Sequence, residues 1–124
     1  MIKTKNNKQY DLEERTAKFG ESVIEFTKGI SRNPISNPLI SQLVRAGTSV
    51  GANYCEANNA QTKKEFIHKI GICKKEAKET QHWLRMISKA DEHVKEKAKL
   101  IWKETQELIL IFSTILSSCR KKKF

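Results

Sequence analysis

The sequence predicts an all-α protein, an antiparallel up-down-up-down four-helix bundle. Three observations predict it. Apolar residues recur at alternating spacings of three and four over long stretches, which places them on one face of a helix. No stretch alternates apolar and polar residues as a half-buried strand would. The firm helix breakers, Pro34 and Pro38, are confined to one short segment and divide a first helix from a second. Four helices joined by short connections favour antiparallel neighbours.

The first helix is expected to start at Asp11. Its carboxylate can cap the helix, and Glu14, three residues later, completes a capping box. Leu12, Phe19, Val23, Phe26 and Ile30 follow at helical spacing, with Thr16 in the gap, and the helix is expected to end near Arg32. The second helix is expected to take Asn37 as its cap and Pro38 as its first residue. Ile40, Leu43, Val44, Gly47, Val50 and Tyr54 mark its inner face. Ala46, Gly47, Ser49, Gly51, Ala52 and Ala57 make this segment rich in small residues. Each glycine lowers helix propensity by roughly 1 kcal/mol relative to alanine. Close helix–helix packing is the expected compensation.

Thr62 and Glu65 open the third helix with a second capping box. Phe66, Ile70, Cys73, Ala77, Thr80, Leu84 and Ile87 form one narrow stripe along it. The remaining surface is basic: Lys63, Lys64, Lys69, Lys74, Lys75, Lys78, Arg85 and Lys89 face only Glu65, Glu76 and Glu79. The fourth helix is expected from near Asp91 to about Cys119. Val94, Ala98, Ile101, Thr105, Leu108, Phe112 and Ile115 repeat the stripe. Trp102, Ile109 and Leu116 add a second row, seven residues apart, and Ile111 flanks the other edge. That apolar face is wider than a peripheral bundle helix needs, which makes Trp102, Ile109 and Leu116 the candidate subunit interface.

The chain of 124 residues carries a net charge of +10, from 24 Lys and Arg against 14 Asp and Glu. Seven of those bases sit in two short tails without acids, residues 1–10 and 120–124, around a bundle of residues 11–119. Lys3, Lys5 and Lys8 form one tail and Arg120, Lys121, Lys122 and Lys123 the other. Such tails attract anions without a structured site. With Lys74, Lys75 and Lys78 of the third helix they are the candidate nucleic-acid-binding residues.

Several chemistries lack their residues. No run approaches the ~20 apolar residues of a membrane span. MIKTKNNKQYD has no apolar stretch of a signal peptide, so a cytoplasmic location is expected. Cys55, Cys73 and Cys119 form no CxxC pair, and Cys73 falls on the apolar stripe as a small core residue. RAGTSVGANY lacks the GK[ST] ending of a phosphate loop. Glu79 and His82 fit ExxH once, but no second copy lies on the first two helices, which a di-metal bundle site requires. His68 and His93 have no partner at ligand spacing. No metal, cofactor, small-molecule substrate or catalytic residue is expected. Arg45 lies among small and apolar residues of the second helix. A link from it to Glu76 or Glu79 is expected, with Asn53 and Glu56 as further structural polar residues.

Residues 42–87, QLVRAGTSVGANYCEANNAQTKKEFIHKIGICKKEAKETQHWLRMI, resemble the signature of a bacterial four-helix-bundle protein family. Its members are often encoded in intervening sequences of large-subunit ribosomal RNA genes. YDLEERT, residues 10–16, is similar to that family's first helix. The resemblance implies a ring-like homopentamer of antiparallel four-helix protomers. It also implies similarity to the accessory variability determinant of diversity-generating retroelements, a basic pentamer that binds a reverse transcriptase and nucleic acid. The family supplies no catalytic residues. The positions matching its motif are Arg45, Gly51, Asn53, Glu56, Phe66, Glu76 and Trp83.

The expected function is therefore that of a non-enzymatic, oligomeric accessory protein that binds nucleic acid, RNA before DNA, with a reverse transcriptase as a further partner. The competing class is a protein–protein scaffold whose basic tails only aid solubility. The aromatic residues fall mostly on or beside the helix stripes, so no platform for stacking bases is expected.

Overall fold

The structure is a computed structural model, and it describes residues 11–121. Four helices make up the described residues: α1 (Leu12–Thr27), α2 (Ser36–Asn58), α3 (Lys63–Ala90) and α4 (Lys95–Lys121), with a 3₁₀ turn (Glu92–Val94) before the last. No strand occurs among them. Each helix packs closely on the next, and α1 also meets α4, over a shorter contact. The result is the antiparallel four-helix bundle expected from the pattern. None of the helices is long and apolar enough to cross a membrane.

The stripes converge on one core. Phe19 and Val23 of α1, Leu43 and Val50 of α2, Ile70, Cys73 and Leu84 of α3, and Leu108 and Phe112 of α4 are all fully or nearly fully buried. Thr16, Thr80 and Thr105 interrupt the stripes without leaving a buried hydroxyl unpaired, because each donates to the carbonyl four residues back, of Leu12, Glu76 and Ile101.

The small residues of α2 do what the pattern requires. A Cβ added at Gly47 would lie 2.9 Å from both methyls of Val23. One at Gly51 would lie 3.2 Å from the carbonyl oxygen of Thr16. The backbones of α1 and α2 therefore meet along a seam that larger side chains would force open.

The helix ends depart from expectation twice. α1 stops at Thr27, not near Arg32. Beyond it the N–H groups of Lys28, Gly29 and Ile30 bond the carbonyls three residues back, which tightens the last turn. Gly29 favours that break, since glycine is among the weakest helix formers. Ile30 still reaches the core, 4% exposed. The cap of α2 is Asn33 rather than Asn37. Its side chain accepts from the N–H groups of Ile35 and Ser36 at 2.9 Å, and its carbonyl accepts from Asn37. Pro34 thus takes the role expected of Pro38, which falls inside the first turn. The same cap-and-proline pattern occurs twice, four residues apart, and the earlier copy is the one used.

The other two ends follow the sequence. Thr62 accepts from the Glu65 N–H at 3.0 Å, and Glu65 reaches back to the N–H of Gln61 at 3.1 Å. Asp91 accepts from His93 N–H and, across the bundle, from Ser31 N–H at 3.0 Å. One carboxylate thereby fastens the α1–α2 loop to the α3–α4 loop. Both hydrogen bonds favour its charged form and hold its pKa below the ordinary value.

Candidate nucleic-acid interface

The polar residues on the inner edges are engaged within the bundle. Arg45 bridges α2 to α3, with its guanidinium 3.1 Å from Glu76 and 2.5 Å from Glu79. The charge that needs this bridge is Glu76, whose side chain is 11% exposed, while that of Arg45 is 46% exposed. Glu56 of α2 takes Lys69 of α3 at 2.6 Å. Asn53 turns its amide onto the Ser49 carbonyl of its own helix, so it links nothing across the bundle. Two links escaped the sequence pattern. Arg15 of α1 bonds Glu104 and Glu107 of α4, each at 2.8 Å, and Gln81 of α3 donates to Gln106 of α4 at 3.0 Å.

These links leave the outer face of α3 basic. All three of its acids are committed: Glu65 to the cap, Glu76 and Glu79 to Arg45. Of its eight bases only Lys69 has a carboxylate within 4.0 Å among the described residues. Lys64, Lys75, Lys78, Arg85 and Lys89 are exposed, and Lys74 is half-buried. With a rise of about 1.5 Å per residue, Lys64 to Lys89 spans roughly 37 Å along the helix.

Gly71 lies in the middle of this face. A Cβ added there would meet no atom within 4 Å. Packing thus gives no reason for a glycine that lowers helix propensity by roughly 1 kcal/mol. The missing side chain opens a shallow dip bordered by Lys74, Lys75, Lys78, Glu79 and His82. A glycine of this kind permits a ligand to approach the helix backbone closely.

The structure brings Lys74, Lys75 and Lys78 together as expected. Arg120 is exposed on the last turn of α4, at the end of the bundle where α3 begins. Lys3, Lys5, Lys8, Lys122 and Lys123, and the side chain of Lys121, lie outside the described residues.

The candidate subunit row does not stay together. Ile109 is 6% exposed and belongs to the core, and Leu116 is half-buried against it. The bundle's own helices therefore cover most of the wide apolar face of α4. Trp102 alone of the three stays open, 43% exposed. Leu100 and Leu110, outside that row, are exposed at 67% and 57%.

The thiols and histidines gather into no reactive centre. No group of three His, Cys, Asp or Glu comes together among the described residues. Burial pushes the Cys73 thiol up to about 12, and desolvation, then the Glu13 carboxylate, also raises Cys55. Both stay as thiols at neutral pH.

Comparison with known proteins agrees with this architecture. No curated protein matches the chain. Among solved structures, the chain is similar to a protein of unknown function from the S23 ribosomal protein family of Bacteroides thetaiotaomicron VPI-5482. The two share 28% identity with a TM-score of 0.76, over 84% of this chain and 96% of that one. The family model for the 23S rRNA-intervening sequence protein matches residues 8–114, so the bundle described above, from the α1 cap to the last turns of α4, belongs to that family.

Proposed function

We propose that this protein is a non-enzymatic accessory protein that binds the phosphate backbone of nucleic acid, RNA first of all, and does so as a homo-oligomer in the cytoplasm. The observation that carries this reading is the outer face of α3. Its acids are held by Arg45 or by the cap, and three lysines, with Glu79 and His82, border an open glycine that packing does not require. Unpaired lysines along one helix neutralise phosphates and release counterions, which gives affinity without a base code. The tails add seven positive charges to the chain. The family's name points to 23S rRNA as the RNA to test first.

The test is an electrophoretic shift with ribosomal RNA fragments across a salt series. The parent binds tightly at low salt and loses affinity steeply as salt rises. Charge reversal at Lys74, Lys75 and Lys78 lowers affinity roughly a hundredfold or more, since hydrogen bonds to charged groups contribute about 1.5–3 kcal/mol each. Removal of residues 1–9 and 120–124 leaves folding intact and makes the salt slope shallower, with a similar loss for every RNA sequence. If both variants bind like the parent, the phosphate reading is wrong and a protein–protein scaffold takes its place.

A further inference from the structure

The basic face of α3 runs into a groove against α4 that backbone binding alone leaves unexplained. The floor is apolar, formed by Leu84 at 1% and Ala98 at 3% exposure. Trp102 forms one wall, and Arg85, Lys95 and Lys99 stand around it. Trp102 is the single aromatic among the large exposed hydrophobic residues described. Arg85 and Lys95 have no carboxylate within 4.0 Å among the described residues. Lys99 meets only Glu96 of its own helix, at 3.4 Å and with both side chains exposed. Arg85 follows His82 by three residues, so the groove continues the face that begins at the Gly71 dip.

An apolar floor and an open indole bordered by three cations, two of them without a carboxylate partner among the described residues, do not suit a purely apolar subunit contact. Burying that surface against apolar groups would desolvate two positive charges without partners, Arg85 and Lys95, together with the exposed Lys99–Glu96 pair. The combination suits a nucleotide, which carries a flat π face and a phosphate on the same unit. Resting on the backbone-binding reading above, the geometry points to a stacking site for one unpaired base. The base enters the α3–α4 groove against Trp102, and the flanking phosphates lie on Arg85, Lys95 and Lys99. Bases inside a duplex are stacked on each other and cannot enter. The groove therefore selects single-stranded segments, while the outer face of α3 holds either form. This revises the expectation that the chain offers no stacking platform: sequence spacing placed Trp102 in an interface row, and the burial of Ile109 with the half-burial of Leu116 leaves it as the exposed member.

Trp83 and Trp102 are the only tryptophans, which makes fluorescence a direct probe. In a Trp83→Phe variant, a single-stranded oligouridylate or oligoadenylate quenches Trp102 emission to saturation, and a duplex of equal length does not. In the otherwise unaltered chain, Trp102→Ala weakens single-strand binding by roughly 5- to 100-fold, the range set by base–aromatic stacking. Trp102→Phe restores most of it, and duplex affinity is unchanged in both. This second arm does not depend on how Trp83→Phe folds. Unchanged single-strand affinity in Trp102→Ala overturns the stacking site. If charge reversal on α3 still abolishes binding in that case, the backbone reading stands without it. Equal quenching by polyglutamate, or loss of the assembled state in Trp102→Ala, also overturns it and makes the groove a protein contact. No binding of any nucleic acid removes both readings together.

Discussion

Gly47 and Gly71 sit on neighbouring helices, and a methyl group added to each meets opposite surroundings. At Gly47 it would press within 2.9 Å of both methyls of Val23, while at Gly71 it would enter open space. The first glycine lets α1 and α2 close over the core. The second lies on the outer face of α3, bordered by lysines, where it packs against nothing. The comparison teaches that a helical glycine is read by what its missing side chain leaves behind. A filled gap marks a packing seam, and an empty one leaves the helix backbone open from outside. α3 shows a like contrast between its acids and its bases: Glu76 and Glu79 bond Arg45 and Glu65 serves the cap, while seven of its eight bases have no carboxylate within 4.0 Å among the described residues.

The sharpest way to break this comparison is to fill both gaps. Gly47→Leu overpacks the seam and lowers stability by about 1–3 kcal/mol or more, read as an earlier midpoint in chemical denaturation. An unchanged midpoint would place Gly47 outside the seam. Gly71→Ala has the opposite sign. It raises stability by about 0.4–1 kcal/mol, because the unfolded chain loses freedom and nothing clashes. The same variant binds ribosomal RNA fragments more weakly than the parent. A variant that is both more stable and equally tight in binding would show that the dip is not used.

A smaller effect concerns the loops. Hydrogen bonds from the N–H groups of Ser31 and His93 hold the Asp91 carboxyl below its ordinary value of 3.8. Its stabilising contribution is complete above that value and disappears as pH falls from it through the lower folded-state pKa. Asp91→Asn therefore removes part of the acid dependence of unfolding between those limits, measured by thermal melts across a pH series. Parallel pH profiles for parent and variant would detach Asp91 from the loops.

The bundle was legible in the sequence because its stripes are regular. Ile70, Cys73, Ala77, Thr80, Leu84 and Ile87 repeat with little ambiguity, and each is buried. The Asp11 and Thr62 caps were legible for a local reason: donor and acceptor lie three residues apart. The start of α2 was misread because Asn33-Pro34 and Asn37-Pro38 carry the same local signal. What separates them lies three residues on: Ser36 accepts from the N–H of Asn33 at 3.2 Å and completes a box, and Ile40 has no polar atom to do the same for Asn37. The burial of Ile109, expected on an exposed row with Trp102 and Leu116, was not legible. Spacing gives the angle of Ile109 around its helix but not how far the neighbouring helices wrap, and here they cover it. The basic face was visible as composition. The link of Arg45 to α3 was legible too, but that it takes both Glu76 and Glu79 and leaves the outer lysines without carboxylates depends on side-chain geometry.

The placement of acids and bases also shapes how the molecule would meet a polyanion in solution. The segment 11–27, comprising the Asp11 cap and α1, carries five acids against two bases, whereas α3 carries eight bases against three acids. Charge is thus spread unevenly over the bundle, net negative along α1 and most positive along α3. An uneven field of this kind turns a diffusing protein before contact, so that many encounters begin already aligned. Added salt, which shortens the reach of the field to about a nanometre or less, would then slow arrival more than it hastens departure.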